Sequence, residues 1–286
     1  ICVPIIVFQF CKGKEFFSKE YWGYALRIGI PIVPHYLSGI ILNQGDRIMI
    51  DKMVGKTEVA LYGLAYSIGM LVQLFISGMN SALTPWMYSK IKKGDIRSMR
   101  KVLQLLSVVV VGIAVALMLI SPELVLIFGS PKYREAVYVI PPVAASVFFI
   151  FIYNILSMPQ FYYEKTQFLM AASMAAAGAN VVLNFIFIRL FGYIAAGYTT
   201  LACYMLYSVG HYIVSKRILV NEGIQENLMS PGFLVACSAF LIGASIICNL
   251  IFPYRILRYA ILLASAGLVF WKKELLLKTM ADIRKK

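Results

Sequence analysis

Charged residues are scarce in this chain. Asp, Glu, Lys and Arg together make up 14% of its 286 residues, and only 13 of those are acidic. A soluble domain carries about a quarter charged residues, so the composition excludes an ordinary water-exposed globule. Histidine is rarer still, at two residues, and neither His35 nor His211 has an acidic neighbour in sequence. That leaves little basis for an acid–base enzyme. The five cysteines (Cys2, Cys11, Cys203, Cys237 and Cys248) show neither metal-ligand spacing nor even pairing. All but Cys11 fall in apolar segments, where cysteine behaves as a small hydrophobic residue. No metal site and no cofactor are expected. No Walker A loop, HExxH or GxSxG occurs, which excludes ATP hydrolysis by this chain, a zinc-protease centre and a nucleophile elbow. No polar stretch is long enough to hold a soluble active-site domain.

What fills the chain instead is apolar. Hydrophobic residues reach 60% and the mean hydropathy is +0.79. Runs of about 18 or more apolar residues can cross a bilayer as helices. Eight such spans are read, at 21–43, 58–88, 102–129, 135–162, 167–190, 193–215, 231–252 and 256–276. The expected fold is an all-α integral membrane protein, a polytopic bundle of about eight full transmembrane helices. Residues 1–10 (ICVPIIVFQF) are apolar but short, and the basic Lys12, Lys14 and Lys19 follow them. A signal peptide has its charges before the apolar run. The segment therefore reads as the tail of a further span, and the chain as the C-terminal part of a larger transporter. Three units are expected: 1–20, a helix end and basic cytoplasmic joint; 21–218, a six-helix lobe; and 219–286, two additional helices and a basic tail.

The net charge of +14 would suggest nucleic acid on a soluble protein. Here its distribution points to topology instead. Alternate joints hold eighteen Lys and Arg residues on one side and eight on the other, with Arg27 inside a span. By the positive-inside rule the richer side, which includes the C-terminus, is cytoplasmic. No nucleic-acid partner is expected.

Prolines punctuate the spans. Pro31 and Pro34 interrupt the first, Pro85 and Pro159 lie near the ends of the second and fourth, and Pro141 and Pro142 fall inside the fourth. They read either as hinges of a rocking transporter or as static kinks. Ala171, Ala175 and Ala179, with Gly178 beside them, form a small-residue stripe expected to pack closely against another helix. Gly192, Ala196 and Thr200 form a similar set.

Polar groups at membrane depth are costly and default to functional hypotheses. Arg27 and His35 lie eight residues apart, about 80° around one helix, and could border one water-filled cavity; Arg27 could equally snorkel to the headgroups. Glu123 and Arg189 lie near span ends, where snorkelling serves them too. His211 reads as interfacial rather than as a proton carrier. Asn43, Asp46, Arg47 and Asp51 form a dense cluster just beyond the first span. Asp46 with Asp51 could suggest a metal, but Arg47 and Lys52 between and beside them favour internal ion pairs. Asn154, Asn180 and Asn184 lie within spans; the last two share a helix face and either join helices or line a lumen for sugar hydroxyls. Tyr62 and Tyr66, and Phe161, Tyr162 and Tyr163, fit interfacial aromatic belts.

The stretch LNQGDRIMIDKMVGKTEVALYGLAYSIG (Leu42–Gly69) resembles the Wzx-type polysaccharide flippases of the multidrug/oligosaccharidyl-lipid/polysaccharide exporter superfamily. The carriers are Asp46–Arg47, the joint at Gly55 and the opening Leu61–Tyr66. Asn80–Trp86, Pro122–Gly129, Phe161–Thr166, and Asn180–Asn184 leading into Phe191–Thr200 follow in order. The resemblance covers roughly 15–217. It implies two six-helix lobes around a cavity, of which this chain would hold the end of the first, the whole second and an added helix pair. It implies movement of undecaprenyl-diphosphate-linked oligosaccharide from the cytoplasmic to the outer leaflet of a bacterial cytoplasmic membrane, by alternating access. The implied partners are that lipid-linked sugar, membrane lipids, the missing first lobe, and polysaccharide polymerase or export machinery. On this reading Arg27, then Arg47, serve diphosphate attraction or gating, and Asn154, Asn180 and Asn184 meet sugar hydroxyls. Two rivals stand beside it. One is an ion-coupled multidrug exporter of the same fold, which needs a deep carboxylate that the spans do not clearly show. The other is a membrane glycan polymerase or acyltransferase using Arg27 and His35.

Overall fold

The computed structural model describes residues 2–13 and 17–271. Lys14 of the first basic joint, the basic tail from Lys272 to Lys286 and the end of the eighth span lie outside the described residues. Among the described residues there is no strand. The helices are α1 (Cys2–Gly13), α2 (Lys19–Met53), α3 (Lys56–Gly69), α4 (Leu71–Lys92), α5 (Ile96–Phe128), a 3₁₀ segment (Pro131–Val139), α6 (Ile140–Tyr162), α7 (Thr166–Phe191), α8 (Ala195–Asn221), α9 (Pro231–Ile251) and α10 (Arg255–Trp271). Within the described residues, each expected span falls on largely helical chain. Six stretches among the described residues are long and apolar enough to cross a membrane. The helices α8 and α10 fall outside that set; 17 residues of α10 are described, and α8 carries a polar face that the bundle buries. The protein is an all-α membrane bundle.

Three boundaries depart from the sequence expectation. The first helix runs ten residues past 43, so Asn43, Asp46, Arg47 and Asp51 are helical rather than part of a joint. Their polarity ends the apolar run without ending the helix. The second span is two helices, broken at Met70. Pro141 and Pro142 do not kink a helix from inside; they stand in the first turn of α6, after the 3₁₀ segment. Proline suits that position because the first-turn N–H groups have no intrahelical partner. Pro122 does sit inside α5 and deprives the Met118 carbonyl of its N–H. The Ser121 hydroxyl donates to that carbonyl at 2.8 Å instead, the kind of repair that permits proline in a membrane helix.

The core is built around α6. Eighteen of its residues are buried, including Phe148 and Phe151 with no exposure. It packs against α8, α5, α4 and α9, while α2 lies along α7 and α7 against α8. The helix α2 is thinly covered, with 17% of its apolar stretch buried.

Of the small-residue stripe expected to pack, only Ala179 lies against the core. Ala171, Ala175 and Gly178 face outward, whereas Ser173, Ala176, Ala177, Asn180 and Asn184 turn inward. Alanine costs nothing against lipid, but an amide does, so the polar groups set the buried face. In the second set, Ala196 and Thr200 are fully buried. Gly192 ends α7 at φ 73°, a left-handed conformation that glycine adopts without strain. That turn folds α8 back along α7. Glu123 is not snorkelling either: the Arg258 Nη1 and Nη2 groups donate to its two oxygens, both at 2.8 Å, joining α10 to α5.

The break at Met70 depends on close packing. A Cβ added at Gly69 would stand 2.7 Å from Val143 Cγ1, and a β-branched side chain in a helix has little freedom to turn away. Gly69→Ala is therefore expected to destabilise by about 1–3 kcal/mol, read as a lower thermal midpoint of the detergent-solubilised protein. Val143→Ala in the same chain should recover most of it. An unchanged midpoint in the single variant would contradict this packing.

Candidate functional site

A cleft of about 750 Å³ opens between α2, the α3–α4 break, α6 and α8. Four of the expected site residues line it: His35, Asn43, Arg47 and Asn154. Tyr66, Tyr153, Tyr204 and Tyr207 supply an aromatic wall, and Gln44, Gln73 and Ser157 add neutral polar groups. Among the described lining residues there is one guanidinium and no carboxylate. The Arg47 Nη1 group donates to Gln44 Oε1, and its guanidinium lies 4.9 Å from the Tyr66 ring centre. This contact fixes the charge on the cleft rim through a cation–π interaction. Arg47 is not the ion-pair partner of Asp46 that the sequence suggested.

Asp46 lies behind the cleft, fully buried. Three donors converge on its carboxylate from three other helices. The Asn184 Nδ2 group on α7 donates to Oδ1 at 2.5 Å. The Tyr62 hydroxyl on α3 and the Thr200 hydroxyl on α8 donate to Oδ2 at 2.5 Å and 2.7 Å. Asn180 and Asn184 are also fully buried and linked: Asn184 Nδ2 donates to Asn180 Oδ1 at 3.1 Å. The Thr199 hydroxyl donates to Asn184 Oδ1, and Asn180 Nδ2 donates to Thr200 Oγ1 at 3.4 Å. A buried carboxylate is tolerated only with such a set of partners. The expectation that the spans lack a deep carboxylate is corrected here. Its cause is the helix boundary: Asp46 lies within α2, not past the end of the first span.

Asn43 separates the two regions. Its Oδ1 accepts from the Tyr66 hydroxyl at 2.7 Å and from the Tyr204 hydroxyl at 3.3 Å, and its Nδ2 donates to the Gly39 carbonyl at 2.8 Å. Asn180 and Asn184 belong to the sealed cluster and do not line the cleft. Arg27 is exposed on α2, two turns from His35 and about 12 Å away along the axis. It does not border the cleft that His35 lines. Asp51 is exposed while Asp46 is buried. Five residues apart on α2, they stand about 140° apart around the helix, so the two carboxylates do not converge on a shared site.

Several participants differ from the sequence reading. Tyr62 and Tyr66 are not belt residues; they are 0% and 5% exposed and join Asp46 and Asn43. Their spacing of four on one helix face was the available signal. His211 is not interfacial: it is fully buried, with Nδ1 2.8 Å from Gln160 Nε2. Thr199, Tyr204 and Tyr207 carry no separate signal, because hydroxyls within apolar runs lower the hydropathy only slightly.

Residues 1–92 match the polysaccharide biosynthesis protein family. An Lsg locus putative protein of Haemophilus influenzae is 28% identical over 173 residues, covering 57% of this chain and 42% of that protein. An uncharacterized membrane protein of the same organism is 29% identical over 167 residues, 54% of this chain and 40% of its own length. The chain thus spans about two fifths of the length of each relative. No solved structure matches it. The matched segment carries His35, Asn43, Asp46 and Arg47, and over it the chain is similar to the polysaccharide biosynthesis protein family.

Proposed function

We propose that this chain is the substrate-bearing lobe of a flippase that moves undecaprenyl-diphosphate-linked oligosaccharide from the cytoplasmic to the outer leaflet. One observation carries the reading. The cleft holds a single guanidinium, no carboxylate among its described lining residues, and a wall of tyrosines and amides. A diphosphate needs a cation and donors, and sugar rings stack on aromatic faces while their hydroxyls pair with amides. Arg47 takes the diphosphate, with His35 beside it, and Asn154 and the tyrosines meet the sugar. Arg27, on the exposed surface of α2, serves approach from the membrane. A facing first lobe closes the cleft, and the two lobes rock about it in alternating access. The membrane is the bacterial cytoplasmic membrane, with the C-terminus in the cytoplasm, and the pair α9–α10 is accessory. The Asp46 cluster, an oxygen-rich set sealed from the cleft, is the place for the coupling proton or monovalent cation.

The multidrug reading is weaker. Its cationic substrates need a carboxylate in contact with the cleft, and Asp46 stands behind Asn43, Tyr66 and Tyr204. The test uses the full-length gene. Deleting it is expected to leave lipid-linked repeat units accumulating on the cytoplasmic side and to remove surface glycan. Arg47→Ala should restore less than a tenth of the wild-type glycan at equal membrane abundance, the scale of a lost charge-assisted contact of about 1.5–3 kcal/mol. Unchanged glycan with altered resistance to cationic drugs would move the assignment to the exporter.

A further inference from the structure

At the wall of the cleft, two histidines meet one tyrosine. The Tyr207 hydroxyl is 3.0 Å from His35 Nδ1. The ring of His211 packs edge-to-face on the Tyr207 ring, with centroids 4.5 Å apart. His35 lines the cleft, while His211 has no exposure. Tyr153 of α6 covers both aromatic partners, at 4.6 Å from Tyr207 and 5.8 Å from His211.

The buried ring has an incomplete set of partners. Gln160 Nε2 donates to the Leu156 carbonyl at 3.3 Å and lies 2.8 Å from His211 Nδ1. With the amide so placed, Nδ1 accepts and the neutral ring carries its proton on Nε2. That Nε2 is buried without a partner, and so is Gln160 Oε1. Unpartnered buried polar atoms are rare and call for an explanation. Turning the Gln160 amide would bring Oε1 to Nδ1 and take the NH₂ from the Leu156 carbonyl; Nδ1 would then donate to Oε1, so the amide can meet Nδ1 with or without a proton.

We infer that His35, Tyr207 and His211 form one proton-binding unit, in which the sealed His211 and the cleft-lining His35 share a single added proton. Two charged rings in contact with one tyrosine repel each other in a low-dielectric interior, so the second proton is opposed and the pair titrates as a unit. The groups facing it are Tyr36 on α2, Tyr153 on α6 and Tyr207 on α8, while α7 offers the Leu169 carbonyl to His35. The unit stands apart from Asp46: Thr200 and His211 are eleven residues apart on α8, about 16 Å along the axis. A proton on His35 adds one positive charge to the cleft wall. A proton on His211 leaves that wall neutral. The unit can therefore set how strongly the cleft attracts an anion. That consequence rests on the anionic-ligand reading above, whereas the shared proton does not.

The test is ¹⁵N NMR of the full-length protein labelled at histidine, without ligand, between pH 3 and 9. Two-step titration of the His35 and His211 rings is expected. His35→Gln should collapse the His211 titration to a single step and move it by about one pH unit. Tyr207→Phe, which keeps the ring but removes the hydroxyl, should reduce the coupling and serves should His35→Gln disturb the fold. A His211 titration identical in wild type and both variants overturns the unit, as does a His211 ring that never changes protonation in any of them. Adding inorganic diphosphate separates the two readings. Failure to bind counts against the anionic cleft alone. Binding that shifts the proton toward His35 joins the two.

Discussion

Asp46→Asn is expected to abolish transport while leaving the protein in the membrane. The carboxylate accepts from Tyr62, Thr200 and Asn184 on three different helices. An asparagine there presents an NH₂ group to at least one of these donors, so a donor faces a donor and one partner loses its acceptor. Each buried donor left unsatisfied costs about 1–3 kcal/mol. Asp46→Asn should therefore lower the thermal midpoint modestly, since one oxygen still accepts. Asp46→Ala strands all three donors and should lower it by on the order of 10 °C. The functional loss should exceed the loss of stability: surface glycan near the level of the gene deletion, at membrane abundance close to wild type for Asp46→Asn. Wild-type glycan from Asp46→Asn would remove the carboxylate from the mechanism and leave the cluster as a structural junction between helices.

How much of this is legible in the chain follows from what hydropathy can register. Among the described residues, six of the apolar runs fall on helices long and apolar enough to cross a membrane, because helix length and bilayer thickness are linked. The end of α2 is not legible. Asn43, Asp46, Arg47 and Asp51 drop the local hydropathy and resemble a joint, yet Asp46 turns inward and the helix continues to Met53. That one misplacement hides the buried carboxylate and makes ion pairing with Arg47 look natural. Asn180 and Asn184 are legible as a shared face, but the choice between lumen and helix junction needs Asp46, which is 138 residues from Asn184 in sequence. Tyrosine is ambiguous by nature, having an apolar body and a polar tip. Tyr62 and Tyr66 could serve a belt or a core equally well until their acceptors are placed. On α7 the small residues mislead, because alanine tolerates lipid and core alike.

Glu123→Gln is expected to lower the thermal midpoint by about 5–10 °C without removing transport. Arg258 is 3% exposed and the Glu123 side chain 25%, so the pair is mostly withdrawn from water. Arg258 meets both carboxylate oxygens and also donates to the Leu119 carbonyl at 2.6 Å, while the Tyr259 hydroxyl donates to Glu123 Oε1 at 3.0 Å. Neutralising Glu123 leaves a guanidinium without its counter-charge in the apolar interior. Removing one member of a buried pair costs about 3–5 kcal/mol, and the residual exposure of Glu123 reduces this to about 2–4 kcal/mol. The double variant Glu123→Gln/Arg258→Met removes the stranded charge and should recover more than half of the loss, because a buried ion pair adds little over an apolar one. Transport should persist, since neither α5 nor α10 lines the cleft. Should Glu123→Gln keep the wild-type midpoint, α10 is held by its apolar contacts and the pair is incidental. Should it lose transport at normal abundance, the helix pair α9–α10 takes part in the moving lobe and is not accessory to it.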